Sequence, residues 1–190
     1  MPLRPRTLTA VVVALSVLAA CGGGSGSSNA TATTTGGPTT TVNLASRVQT
    51  FSGLSQTHTR DPVNYPQTPP VGGPHYPVWM NCGYYNQPLQ NELAVHSMEH
   101  GAVWITYRPD LPSDQVAILK NFTKMPFVLV SPWKDASLPA PVVASAWGLQ
   151  LKADTAGDPY VKAFVNTYAN GPQTPEKGAP CTGGFGTPSS

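Results

Sequence analysis

Charge is the first thing this sequence has little of. Lys, Arg, Asp and Glu make up 11% of its 190 residues, with 11 basic against 9 acidic side chains. No cluster of Lys and Arg exists, so the chain lacks an electrostatic footprint for a phosphate backbone, and nucleic acid is excluded as a partner class. Cysteine is scarce too, at three residues and with no C-x-x-C spacing, which counts against a thiolate metal site. The uncharged run from Leu8 to Ala20 is too short to cross roughly 30 Å of hydrocarbon as a helix. No G-x-S-x-G elbow surrounds Ser97, which therefore is not marked as a nucleophile. The length excludes two large domains, and the absence of a Gly-x-y period excludes collagen.

Glycine (18) and proline (21) are abundant and argue for long rigid loops or linkers over a helical bundle. The N-terminus has the three parts of a secretory signal: the basic residues Arg4 and Arg6, the apolar run, and small residues before Cys21. Leu18-Ala19-Ala20-Cys21 resembles the bacterial lipoprotein box. That resemblance implies removal of residues 1–20 as a signal peptide and acylation of the Cys21 thiol, palmitate-type chains included. The mature protein would then be extracytoplasmic, with the cell membrane as its partner through the lipid anchor, which is stabilised by about 0.8 kcal/mol per buried methylene. Gly22 to Thr41 is Gly, Ser or Thr at all but four positions and cannot bury enough apolar surface to fold. Residues 21–47 accordingly read as lipidated Cys and flexible tether, 48–184 as one globular domain, and 185–190 as a C-terminal tail.

Within the domain, residues 48–87 show no sustained period and read as extended loop with short strands. Pro88 to His100 reads as a helix stopped by Gly101. Ala102 to Tyr107 is a β-branched and aromatic buried strand. Pro112 to Lys124 has helical spacing, with Ser113 as its cap. Phe127 to Ser131 and Val142 to Leu151 are two further strands, and Asp158 to Tyr168 returns to helical spacing. The fold class is α+β: one small layered domain in the order strand, helix, strand, strand, helix, wrapped by Pro/Gly-rich loops. With Cys21 lipidated, Cys82 and Cys181 remain as a candidate disulfide closing about 100 residues. The alternative use of the two thiolates is metal ligation.

The chemistry resides in the polar minority. All four histidines, His58, His75, His96 and His100, fall in the first half of the domain. His75 follows the stiff Pro69-Pro70-Val71-Gly72-Gly73-Pro74 segment, whereas His58 lies in a Thr/Gln-rich flank with no sign of rigid presentation. On a helix, His96 and His100 share one face about 6 Å apart, a spacing that chelates one metal ion. Glu99 between them suits a further ligand, an acceptor behind an imidazole, or a general base.

Four blocks in order, Pro69 to Tyr76, Val95 to Trp104, Ala144 to Gly148 and Gly171 to Glu176, resemble the bacterial domain-of-unknown-function family 3105 over roughly Phe51 to Gly184. The family pattern usually has Ser at Gly72 and commonly Leu at Met98. Its members are typically exported or membrane-tethered, and the resemblance implies no activity. Three readings follow from the residues. The first is a metal site on His96 and His100, completed by His75, His58 or Glu99, with imidazole-rich ligation suiting copper or zinc. The second is a non-catalytic structural or interaction domain in which the histidines are hydrogen-bonding struts for Pro-rich loops. In the third, a metal-dependent hydrolase, His96-Ser97-Met98-Glu99-His100 fits the H-x-x-E-H string of inverted zinc peptidases with Glu99 as catalytic base. A glycan surface on Tyr76, Trp79, Tyr84, Tyr85 and Trp133 competes with ordinary packing of those aromatics.

Overall fold

The computed structural model describes residues 42–190; the expected signal peptide, Cys21 and most of the expected tether lie outside the described residues. Three helices and a six-stranded sheet form one mixed α/β domain. In chain order these are β1 (Gln49–Thr50), β2 (Gly83–Tyr84), α1 (Asn91–Glu99), β3 (Val103–Tyr107), α2 (Ser113–Phe122), β4 (Val128–Pro132), β5 (Val142–Ala146), β6 (Leu149–Ala153) and α3 (Pro159–Tyr168). The sheet order is β1-β6-β5-β3-β4-β2. Strand β4 runs parallel to β3 and β2, and the remaining pairs are antiparallel.

Both faces of the sheet are covered, which is why its strands read as unbroken apolar runs. Val103, Ile105 and Tyr107 of β3 turn to one face and pack with Leu119 of α2 and with Val161, Phe164 and Val165 of α3. Trp104 turns to the other, against Leu93, Ala94, Val95 and Met98 of α1. Burial of a side chain such as Phe164, which is wholly inaccessible, contributes about 1.5 to 3 kcal/mol. Trp104 Nε1 donates to Ser131 Oγ at 3.1 Å, so its polar atom is satisfied inside the core.

Two sequence expectations need correction. Val142 to Leu151 is a hairpin and not one strand: Ala146 pairs with Leu149 around Trp147-Gly148, and Gly148 takes φ +71°, a turn conformation that glycine adopts without steric cost. The turn gives four five-residue strands where the sequence suggested three. Ser113 is the first residue of α2 and makes no capping hydrogen bond. By contrast Asp158 caps α3 by accepting from Tyr160 N. Upstream of β1, Leu44–Ser46 form a 3-10 turn, Leu44 and Val48 pack on the core, and Arg47 pairs with Asp158 at 3.3 Å. Among the described residues no helix is long and apolar enough to cross a membrane.

Cys82 and Cys181 are joined in a disulfide with Cα atoms 5.4 Å apart. The C-terminal segment continues along the start of the domain: Phe185 bridges Met80, the Asn81 side chain holds Gly184 and Gly186, and Ser189 N donates to Tyr84 O.

Candidate metal centre

Helix α1 is short, almost entirely buried and ends where the site begins. Glu92, on its first turn, accepts from Val63 N at 3.0 Å. Ser97 Oγ donates to Met80 O and accepts from Met80 N, a structural role that leaves the hydroxyl no freedom as a nucleophile. His100 closes the helix, and Gly101 reverses the chain at φ +107° with its carbonyl accepting from Asn170 N. A Cβ at Gly101 would lie 3.0 Å from Asn170 Cα, so the Asn170 to Thr174 segment packs where only glycine fits.

His96 and His100 share one face of α1 as the spacing required, with ring centroids 4.6 Å apart. His75 reaches them from the loop, where Gly72 takes φ +144° in a space so tight that a Cβ would meet Leu54 Cδ1 at 2.8 Å. His58 is presented rigidly after all. A parallel bridge joins it to His75, with Thr59 N donating to His75 O and His75 N to Thr57 O. Backbone pairing across the sequence supplies what the local Thr/Gln-rich flank did not reveal.

The three buried imidazoles follow one rule. His75 Nδ1 lies 2.8 Å from Gly73 O, His96 Nδ1 2.5 Å from Tyr76 O, and His100 Nδ1 2.7 Å from Pro180 O. A carbonyl oxygen only accepts, so each Nδ1 must carry a hydrogen, and in the neutral ring each Nε2 keeps its lone pair. Those lone pairs converge. His96 Nε2 is 3.0 Å from His100 Nε2, His75 Nε2 is 2.8 Å from Glu99 Oε2, His58 Nε2 is 3.7 Å from the same oxygen, and His100 Nε2 is 3.3 Å from Glu176 Oε2. Acceptors held this close are reconciled by a proton on one partner or by a metal ion between them. A proton on His96 is disfavoured: burial foremost, helped by the neighbouring His100, His75 and His58, pushes its pKa down to about 4 despite the bond to Tyr76 O. A metal ion answers the same need without protonating the ring.

Two ligand groups result, His58, His75, His96 and Glu99, and His96, His100 and Glu176, each with candidate ligand atoms within 4.8 Å of one another. Glu176 and the carbonyl of Pro180 were not legible as site residues. Glu176 lies in one of the blocks that carry the family resemblance, but no spacing ties it to α1. Its backbone N–H donates to Glu99 O, which brings it to the end of the helix. Trp79 is the other addition, its ring 4.6 Å from that of His100 and 5.7 Å from that of His96. Trp79 and Tyr76, two of the aromatics considered for glycan binding, adjoin the histidines; of the others, Trp133 and Tyr85 are in the core cluster and Tyr84 Oη lies 3.3 Å from Tyr107 Oη.

A family model described as a protein of unknown function (DUF3105) matches residues 56–183. No curated protein and no solved structure matches the chain.

Proposed function

We propose, taking as premise that this chain belongs to the DUF3105 family of proteins of unknown function, that it binds a divalent transition-metal ion through its histidine cluster. The observation that supports this reading is the orientation of the three buried imidazoles, which give their Nδ1 hydrogens to backbone carbonyls and aim bare Nε2 atoms at one another and at two carboxylates. Nδ1 bonding of this kind is how imidazole ligands are usually fixed in orientation and tautomer. It also gives the strut role its place, because the nitrogen that braces a loop and the nitrogen that faces the ion are different atoms of one ring. The donor set is imidazole and carboxylate. The two cysteines of the domain are bonded to each other, and Met98 and Met80 pack in the apolar cluster. Nitrogen and oxygen ligation without sulfur suits zinc or copper(II).

Hydrolysis is a weaker reading. Glu99, the residue that would activate water, is 1% exposed and its Oε2 is engaged by His75, the setting of a ligand and not of a base facing a substrate.

We also propose export and anchoring through an acylated Cys21. The basic start, apolar run and Leu-Ala-Ala-Cys sequence support it, and the Cys82–Cys181 disulfide suits an oxidising compartment.

Isothermal titration of tag-free protein with zinc and copper(II) salts tests the metal reading. Tight binding is expected, and His96→Ala, which removes the one residue common to both ligand groups, should lower affinity by at least the roughly 10 to 100 fold that loss of a ligand's supporting hydrogen bond costs. Wild-type binding no stronger than that of surface imidazoles refutes it and leaves the histidines as struts.

A further inference from the structure

The two ligand groups overlap at a single residue, His96. Its Nδ1 hydrogen is committed to Tyr76 O, so one nitrogen lone pair is left, and one lone pair coordinates one ion at a time. The group formed by His96, His100 and Glu176 already has the dimensions of a coordination shell. Its edges of 3.0 and 3.3 Å compare with about 3.3 Å between ligands of a tetrahedral ion bound at roughly 2.0 Å. In the other group, the edges from Glu99 Oε2 to His75 Nε2 and His58 Nε2, 2.8 and 3.7 Å, lie on either side of that length. Each group also has one solvent-facing member, His58 at 45% and Glu176 at 50% side-chain exposure, while the atoms between them are buried.

Resting on the metal-binding reading above, the geometry points to two alternative seats for one divalent ion. The inner seat is His58, His75, His96 and Glu99; the outer seat is His96, His100 and Glu176. The ion exchanges with donors in solution through Glu176, the solvent-facing ligand that carries a negative charge, while three of the four inner-seat residues are buried. Each seat offers one carboxylate, so the ion meets a compensating negative charge in either place. Passing between them replaces His100 and Glu176 by His75, Glu99 and His58 while His96 is kept, and no step strips the ion of all protein ligands. The Trp79 ring beside His96 and His100 shields the outer seat and gives the cation an aromatic neighbour. The ligand class is thus a labile divalent ion that the protein takes up and surrenders, as opposed to one locked in a closed structural site.

The test uses the tag-free full chain with zinc and copper(II) salts. Titration should reach one ion per chain. Glu176→Gln should slow uptake, and release to a chromophoric chelator, by about tenfold or more, and confine the ion to the inner seat. The substituted residue is half exposed, and its contact with Glu99 O is made by the backbone, so the fold should be retained, as a thermal melt checks. His75→Ala should leave copper(II) bound at the outer seat with lower affinity and a changed electron paramagnetic resonance spectrum. Two ions bound at once, or wild-type exchange rates in Glu176→Gln, overturn the two-seat arrangement while leaving a metal site standing. A wild-type chain that binds no ion overturns both.

Discussion

Acid should weaken the metal-free domain through His96 in a defined pH window. The unfolded chain takes up a proton on this residue below about 6.5, whereas burial in the fold lowers its pKa to about 4. Between those values the unfolded state holds more protons, so the free energy of unfolding falls as pH falls. Above the window His96 stays neutral in both states and contributes no slope; below it both are protonated and the loss is complete. With about 1.4 kcal/mol for each tenfold change in proton affinity, the displacement amounts to about 3 kcal/mol, a large share of the 5 to 15 kcal/mol that typically holds a domain folded. His96 is almost inaccessible but lies near enough to the surface that screening makes this figure an upper limit. Urea unfolding of chelator-treated protein across pH 7.5 to 4, wild type beside His96→Gln, measures it. Groups facing the ring, His58, His75, His100, Glu99 and Glu176, are common to both proteins. The stability advantage of wild type over the variant should therefore shrink by up to about 3 kcal/mol on acidification. Parallel curves would show that His96 is not held neutral by burial. Saturating zinc should add stability at neutral pH, about 2.7 kcal/mol at a hundredfold excess over Kd, and lose it on acidification as protons displace the ion.

Two further outcomes are expected. Cys82→Ser combined with Cys181→Ser opens a loop of 99 residues and should lower stability by up to about 4.7 kcal/mol, read by calorimetry; it should also slow metal exchange, because Pro180 O, the partner of His100 Nδ1 in the outer seat, adjoins Cys181. An unchanged melting temperature would refute the constraint. Cys21→Ser should release the protein from the membrane fraction or leave its signal uncleaved, and unaltered lipid labelling would refute the anchor.

Local pattern made much of the frame readable. Ala102 to Tyr107 announced a buried strand, and His96 and His100 at four-residue spacing announced a shared helix face, because both signals reside within a few residues of chain. The hairpin of β5 and β6 was hidden for a physical reason: with both sheet faces covered, Val142 to Leu151 loses the alternation that would have marked two strands, and only Gly148 punctuates it. The site was half readable. Its imidazoles are conspicuous by type, but the atoms that orient them are main-chain carbonyls of Gly73, Tyr76 and Pro180, and any residue type can offer a carbonyl. Glu176 was silent for a related reason, since its position beside His100 depends on tertiary packing and not on spacing.

The return of the C-terminal segment to the start of the domain has a consequence for the order in which a growing chain becomes competent. Every histidine has been synthesised by residue 100, yet Glu176 and Pro180 emerge only after all six strands and α3. A nascent or truncated chain carries the imidazoles without the carboxylate and carbonyl that finish their geometry. On the two-seat proposal the inner seat is synthesised first, and the outer seat that exchanges the ion forms only once the segment carrying Glu176 and Pro180 has been laid down against the end of α1.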